Sequence, residues 1–141
     1  MSGNIFIDTN ILVYARDPSD RTKHEKAAKL VDDLWVSRRA RISVQVLNEY
    51  MVTVTRKLKP GMTMEQAWDD VSTLSSWEPV GLDWSLLELA RMVQREHSIS
   101  WWDALIIAAA NRSGCDMIYS EDLAPGHVYG GVRVINPFLP D

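Results

Sequence analysis

Between Trp101 and Arg112 the chain carries a helix-length segment with an apolar run through its middle. Leu105, Ile106, Ile107, Ala108, Ala109 and Ala110 follow one another without a polar break. A helix apolar all round has no place on a protein surface, so other elements must enclose it. A second apolar run, Ile5-Phe6-Ile7, is too short for a helix and reads as a strand covered on both faces. An enclosed helix and a doubly covered strand together call for a layered α/β arrangement. The 141 residues suit one domain, 1–141, able to bury roughly 68% of its unfolded surface. Cys115 is the single cysteine, so no intrachain disulfide forms, and with three scattered histidines there is no Cys/His zinc cluster. No apolar run approaches the roughly 20 residues of a membrane helix, and the first residues lack the pattern of a signal peptide. The expectation is a cytoplasmic protein with no membrane association.

Strands and helices alternate along the chain. After Ile5–Ile7, a short apolar helix around Ile11–Tyr14 ends at Asp17-Pro18. Thr22 and Glu25 have capping-box spacing and precede a helix with Ala27, Ala28, Val31, Leu34 and Trp35 on one face. Arg41–Val44 reads as a second strand, and a helix follows over about Gln45–Leu58, stopped by Pro60-Gly61. Thr63 with Gln66 opens a helix ending near Leu74, and Trp77–Leu82 reads as a third strand. Asp83 caps the next helix, Ser100 caps Trp101–Arg112, and Gly114 ends it. Met117–Tyr119 and Val132–Ile135 complete about five strands in a mainly parallel central sheet, with helices on both faces.

In an open parallel sheet the site lies beyond the carboxyl ends of the strands. Asp8 is the first residue after the first strand, and Asp122 follows the strand ending at Tyr119. Glu49 and Asp103 lie on helices that return over that edge. Each has a local alternative. Asp8 suits a helix cap, and Ser100-x-x-Asp103 suits a capping box with an acid favoured by the helix dipole. Glu49 suits a solvated helix face, and Asp122, beside Glu121, ordinary loop acidity. A carboxylate at the mouth of a buried helix is nonetheless costly without a partner. Asp8 and Asp103 have no Lys or Arg near in sequence, and an all-oxygen donor set suits Mg²⁺, with Mn²⁺ plausible.

The chain resembles PIN-domain ribonucleases, especially the VapC-type toxins of toxin–antitoxin pairs. The likeness rests on Phe6-Ile7-Asp8-Thr9-Asn10-Ile11-Leu12-Val13-Tyr14, on Glu49, on Ser100-x-x-Asp103-Ala104-Leu105-Ile106, on Tyr119-Ser120-Glu121-Asp122-Leu123 and on Gly131–Phe138. It implies a PIN-like three-layer sandwich. It also implies a Mg²⁺- or Mn²⁺-dependent endoribonuclease that is a homodimer silenced by a cognate antitoxin protein. The family's acids fall on Asp8, Glu49, Asp103 and Asp122, and its polar helpers on Asn10 and Ser120, where many relatives have Thr for the latter. Asn10 and Ser120 also suit plain turn chemistry.

With 15 Lys and Arg against 19 Asp and Glu, the net charge of -4 does not advertise nonspecific nucleic-acid binding. An RNA substrate would need a local basic patch, for which Arg38, Arg39 and Arg41 form one candidate and Arg56, Lys57 and Lys59 another. Either suits a solvated face equally. A single-stranded or structured RNA loop is the expected substrate. Most of the six Trp are expected in the core, with an exposed one free to stack on a base or pack against a partner. A phosphatase-like α/β hydrolase of haloacid-dehalogenase type would need an acid where Asn10 stands. A phosphorelay receiver would need paired acids at the first strand and a Lys after its last strand. A flap-type nuclease would need more chain. A PIN-like module that only binds is the non-enzymatic alternative, against which the four retained acids argue.

Overall fold

A computed structural model of the chain describes residues 3–140. Among them, the strands are β1 (Asn4–Ile7), β2 (Ala40–Arg41), β3 (Cys115–Tyr119), β4 (Val128–Tyr129) and β5 (Val132–Ile135). The helices are α1 (Thr9–Arg16), α2 (Arg21–Ser37), α3 (Val44–Val52), α4 (Met64–Leu74), α5 (Trp84–Glu96) and α6 (Trp101–Arg112). A π-helical turn, Thr53–Lys57, continues α3, and a 3₁₀ turn, Ser75–Trp77, follows α4.

The sheet runs β2-β1-β3-β5-β4. The first three pairings across it are parallel, and β4 pairs antiparallel with β5 as a terminal hairpin. This is the expected α/β layering. Ile5, Phe6 and Ile7 are all buried, so β1 is covered on both faces. Residues Ala104–Ala110 of α6 are buried without exception, as the apolar run requires. Around them Phe6, Ile7, Ile11, Ile42, Ile107, Ile118 and Val134 make one continuous core.

Several elements differ from the sequence reading. Arg41–Val44 is not a four-residue strand. Only Ala40–Arg41 pairs with β1, and Ser43 turns its hydroxyl to the N–H of Val46 as the N-cap of α3. Trp77–Leu82 forms no strand, because Leu74 runs into the 3₁₀ turn and Glu78 adopts a left-handed conformation. A single bridge between Ser43 and Val80 remains of the expected pairing. α2 begins two residues earlier than Thr22 suggests, since Asp20 accepts from the N–H of Lys23. The hairpin strand β4 was not anticipated; at two residues it is too short for period-two patterning to register. The capping box of Thr63 and Gln66 forms in both directions, and Asp83 and Ser100 cap α5 and α6 as expected.

The expectation that most Trp lie in the core is corrected. Trp77 is buried and Trp35 and Trp101 are half-buried, while Trp68, Trp84 and Trp102 are exposed. Each exposed Trp falls on the outer side of its helix or in a first turn, positions that residue type alone does not reveal.

Candidate active site

Parallel pairing places the end of β1 beside the end of β3, with Ile7 opposite Tyr119. The next residue on each strand, Asp8 and Ser120, therefore meet at the sheet edge. The N–H of Asp8 bonds the Tyr119 carbonyl at 3.0 Å, and the Ser120 hydroxyl donates to Asp8 Oδ2 at 2.6 Å. Asp8 Oδ1 accepts from the N–H of Thr9 at 2.8 Å, so Asp8 also caps α1. The cap uses Oδ1, while Oδ2 is turned to Ser120.

Asp122 reaches the same edge through the turn after β3. The Ser120 hydroxyl accepts from the N–H of Asp122 at 3.2 Å, linking two acids through one oxygen. Asn10 makes a second link: its amide donates to Asp122 at 3.1 Å and, more distantly, to Asp8 at 3.4 Å. The N–H of Glu121 holds the Asn10 carbonyl at 3.2 Å, which fixes the direction of that amide. From α3, Glu49 accepts the Thr9 hydroxyl at 2.7 Å. Asp103 enters from the first turn of α6, where its N–H bonds the Ser100 hydroxyl at 3.1 Å. The N-terminal cap of α6 is thus supplied by Ser100, while Asp103 lines the cleft.

All four acids line one open cleft of about 470 Å³ at the carboxyl edge of the sheet. Asp8 is 8% exposed. Burial, reinforced by the charges of Asp122 and Glu49, raises its pKa from 3.8 to about 6, against the opposing bonds from Ser120 and Thr9. Burial likewise raises Asp103, and the charges of Asp122 and Glu49 add to it. None of the four forms an ion pair among the described residues. Nor, among those residues, do any three His, Cys, Asp or Glu side chains close around a point to enclose an ion by themselves. The edge therefore gathers four carboxylates without an ion-pair partner among the described residues, and their potential ligand atoms are oxygens. That set fits a hard divalent cation such as Mg²⁺, which is commonly held by one or two carboxylates and keeps several waters.

The structure does not bring Arg38, Arg39 and Arg41 to this cleft. Arg38 and Arg39 precede β2 and Arg41 is its second residue, opposite Phe6; Arg38 and Arg41 line a separate recess with Trp35, Ser76, Trp77 and Glu78. The side chains of Arg39 and Arg41 are also engaged locally. Arg39 donates to the Gly3 carbonyl at 2.9 Å, and Arg41 pairs with Glu78 at 3.0 Å and caps the Ala40 carbonyl. Of the second basic cluster, Lys57 does reach the cleft.

Two further lining residues on α3 and its π turn, Gln45 and Thr53, are not among the residues that the sequence singles out. Gln45, Glu49, Thr53 and Lys57 form a polar stripe along α3 and its π turn. Their spacing of four was a usable signal. Four residues overshoot one α-turn by about 40°, and the wider π turn takes part of that drift back. Tyr14 also lines the cleft; its hydroxyl donates to Glu121 at 2.8 Å, and Lys23 pairs with the same carboxylate. This pins Glu121, and with it the turn that carries Asp122.

Comparison with known proteins agrees with this architecture. No curated protein sequence matches the chain. Among solved structures, it is similar to that of FitAB bound to an IR36 DNA fragment, with a TM-score of 0.69 and 17% identity over 97% of both chains. It is also similar to Mycobacterium tuberculosis VapC20, a sarcin-ricin loop cleaving toxin. There the TM-score is 0.63, with 22% identity over 84% of this chain and 90% of that one. At these identities the likeness is one of fold. The sequence profile of the PIN domain matches residues 5–130, a span that runs from β1 through β4 and takes in every acid of the cleft. The chain therefore belongs to the PIN domain family.

Proposed function

We propose that the chain is a metal-dependent endoribonuclease, the toxin of a toxin–antitoxin pair, hydrolysing phosphodiester bonds at the acidic cleft. The observation that carries this reading is the meeting of Asp8, Glu49, Asp103 and Asp122 on one edge with no cationic side chain paired to any of them among the described residues. Asp8 and Asp103 are the first candidates to hold Mg²⁺ or Mn²⁺, with Glu49 and Asp122 acting directly or through water. A divalent ion bound there supplies activation of a water and neutralisation of charge on the attacked phosphate.

The chain's own groups then do the positioning. Ser120 and Asn10 hold the carboxylates of Asp8 and Asp122 in place at the cleft. Thr9 holds Glu49. Lys57 offers a cation to a neighbouring phosphate of the substrate. No Ser–His or Cys–His pair lines the cleft among the described residues, which suits attack by water rather than by a side chain. A cognate antitoxin and a second copy of the chain are the proposed protein partners. The family and the likeness to VapC20 support this reading. Incubation of the purified chain with RNA in Mg²⁺ or Mn²⁺ and in EDTA tests it: internal cleavage with metal and none with EDTA is expected, and undiminished cleavage in EDTA contradicts it.

A further inference from the structure

Trp102 is the one large side chain that α6, otherwise enclosed, turns to solvent at its start. It is 62% exposed and stands immediately before Asp103. It lines the acidic cleft and also an adjoining recess of about 490 Å³, shared with Val44, Gln45, Asn48, Glu49 and Leu82. The recess and the cleft are continuous through Gln45, Glu49 and Trp102. Its walls are an indole and two exposed aliphatic side chains, and two amides, Gln45 and Asn48, lie among them. Gln45 bonds both the Trp102 carbonyl and Glu49, at 3.3 and 3.4 Å, which ties the aromatic wall to the acid.

Direction follows from α3. Gln45 stands at its start beside Trp102, Glu49 is in the middle against Thr9, and Lys57 ends the π turn. These twelve steps cover about 18 Å. The cleft thus has an aromatic end, an acidic centre and a cationic end.

We propose that this axis seats a single-stranded RNA, with one unpaired base stacked on Trp102 in the Val44–Leu82 recess and a phosphate further along the strand held by Lys57. The inference rests on the nuclease reading of the cleft and adds to it a base-stacking position at Trp102. An aromatic face, aliphatic edges and amide groups are the chemistry a nucleobase needs, and stacking of this kind is tolerant of sequence. A paired base cannot enter the recess without leaving its duplex, so the site selects unpaired RNA. The Gln45 and Asn48 amides give the recess a means of preferring one base edge over another.

The test uses a short fluorescein-labelled oligoribonucleotide of randomised sequence, with Mn²⁺, and the Asp103→Asn chain as a slow-cleaving background. In that background Trp102→Ala should weaken single-strand binding roughly tenfold or more, while Trp102→Phe should retain most of the affinity. Duplex RNA should bind the chains with Trp and Ala at 102 alike. Irradiation of the same oligomer carrying 5-iodouridine should cross-link to Trp102, as located by mass spectrometry. Equal affinities of the Trp and Ala chains, absence of single-strand binding, or cross-links only elsewhere would overturn the proposal. So would a Trp102→Ala chain whose only change is a lower oligomeric state in light scattering, since the recess would then belong to a contact between copies. Metal-dependent cleavage by the chain with Asp103 intact is read separately, so failure of the nuclease reading and failure of the stacking site are told apart.

Discussion

At the scale of single residues, the site is a problem of charge held in place by hydrogen bonds. Asp8 is the sharpest case. With a folded pKa of about 6 against 3.8 unfolded, it binds a proton more tightly in the folded chain. Stability from that difference is complete below the unfolded pKa and is lost as pH rises through the folded value. The metal-free chain should therefore lose about 2 kcal/mol between pH 4 and pH 7 from this group. Asp8→Asn should remove that part of the slope, and urea melts of both chains in EDTA across this range measure it. Asp103 gives a second prediction. Ser100, not the Asp103 carboxylate, caps the N–H of residue 103, so Asp103→Asn should leave the metal-free melting temperature equal or higher and reduce its rise with Mn²⁺. A cap lost at that position would instead lower the melt with and without metal by up to roughly 1 kcal/mol. That Asp8, Glu49, Asp103 and Asp122 gather at one edge with Asn10 and Ser120 was legible because most of them sit at a fixed offset from a strand end or a helix start. That Arg38, Arg39 and Arg41 do not line the cleft is not legible in the same way, because a cluster in sequence does not say which recess it faces.

At the scale of elements, regular segments with strong periodicity or a cap were read well, and short segments were not. α6 was legible because seven successive buried residues, Ala104–Ala110, leave a helix no other place. Ile107 is fully buried in it, and Ile107→Ala should cost about 2–5 kcal/mol. Denaturant unfolding measures this, and a loss below 1 kcal/mol would show a looser core than the structure has. The segment after Trp77 was read as a strand from its apolar residues. The left-handed Glu78 and the lone Ser43–Val80 bridge show that tertiary placement overrode that signal. The polar stripe from Gln45 to Lys57 shows the converse, a pattern present in sequence whose meaning emerges only when the π turn keeps its last members facing the cleft.

At the scale of the whole molecule, the parallel sheet converts sequence separation into proximity. Asp8 and Ser120 are 112 residues apart and share a hydrogen bond because β1 and β3 are neighbours in register. The fold class followed from the alternation of strands and helices, but the neighbour relation that makes the site does not follow from any local pattern. A net charge of -4 and an acidic cleft also mean that RNA is repelled from the site until cations arrive. Binding of RNA should therefore be stronger in Mn²⁺ than in EDTA at equal ionic strength, as fluorescence anisotropy would record; equal binding would remove the electrostatic role given to the acids. The central claim is that the converging carboxylates hold the metal that hydrolyses RNA. Its most direct test is RNA cleavage in saturating Mn²⁺ by the unaltered chain, Asp8→Asn and Asp103→Asn, each shown by circular dichroism to be folded. The account predicts metal-dependent cleavage by the first and loss of most activity in both variants. Cleavage by either folded variant at the rate of the unaltered chain would contradict it.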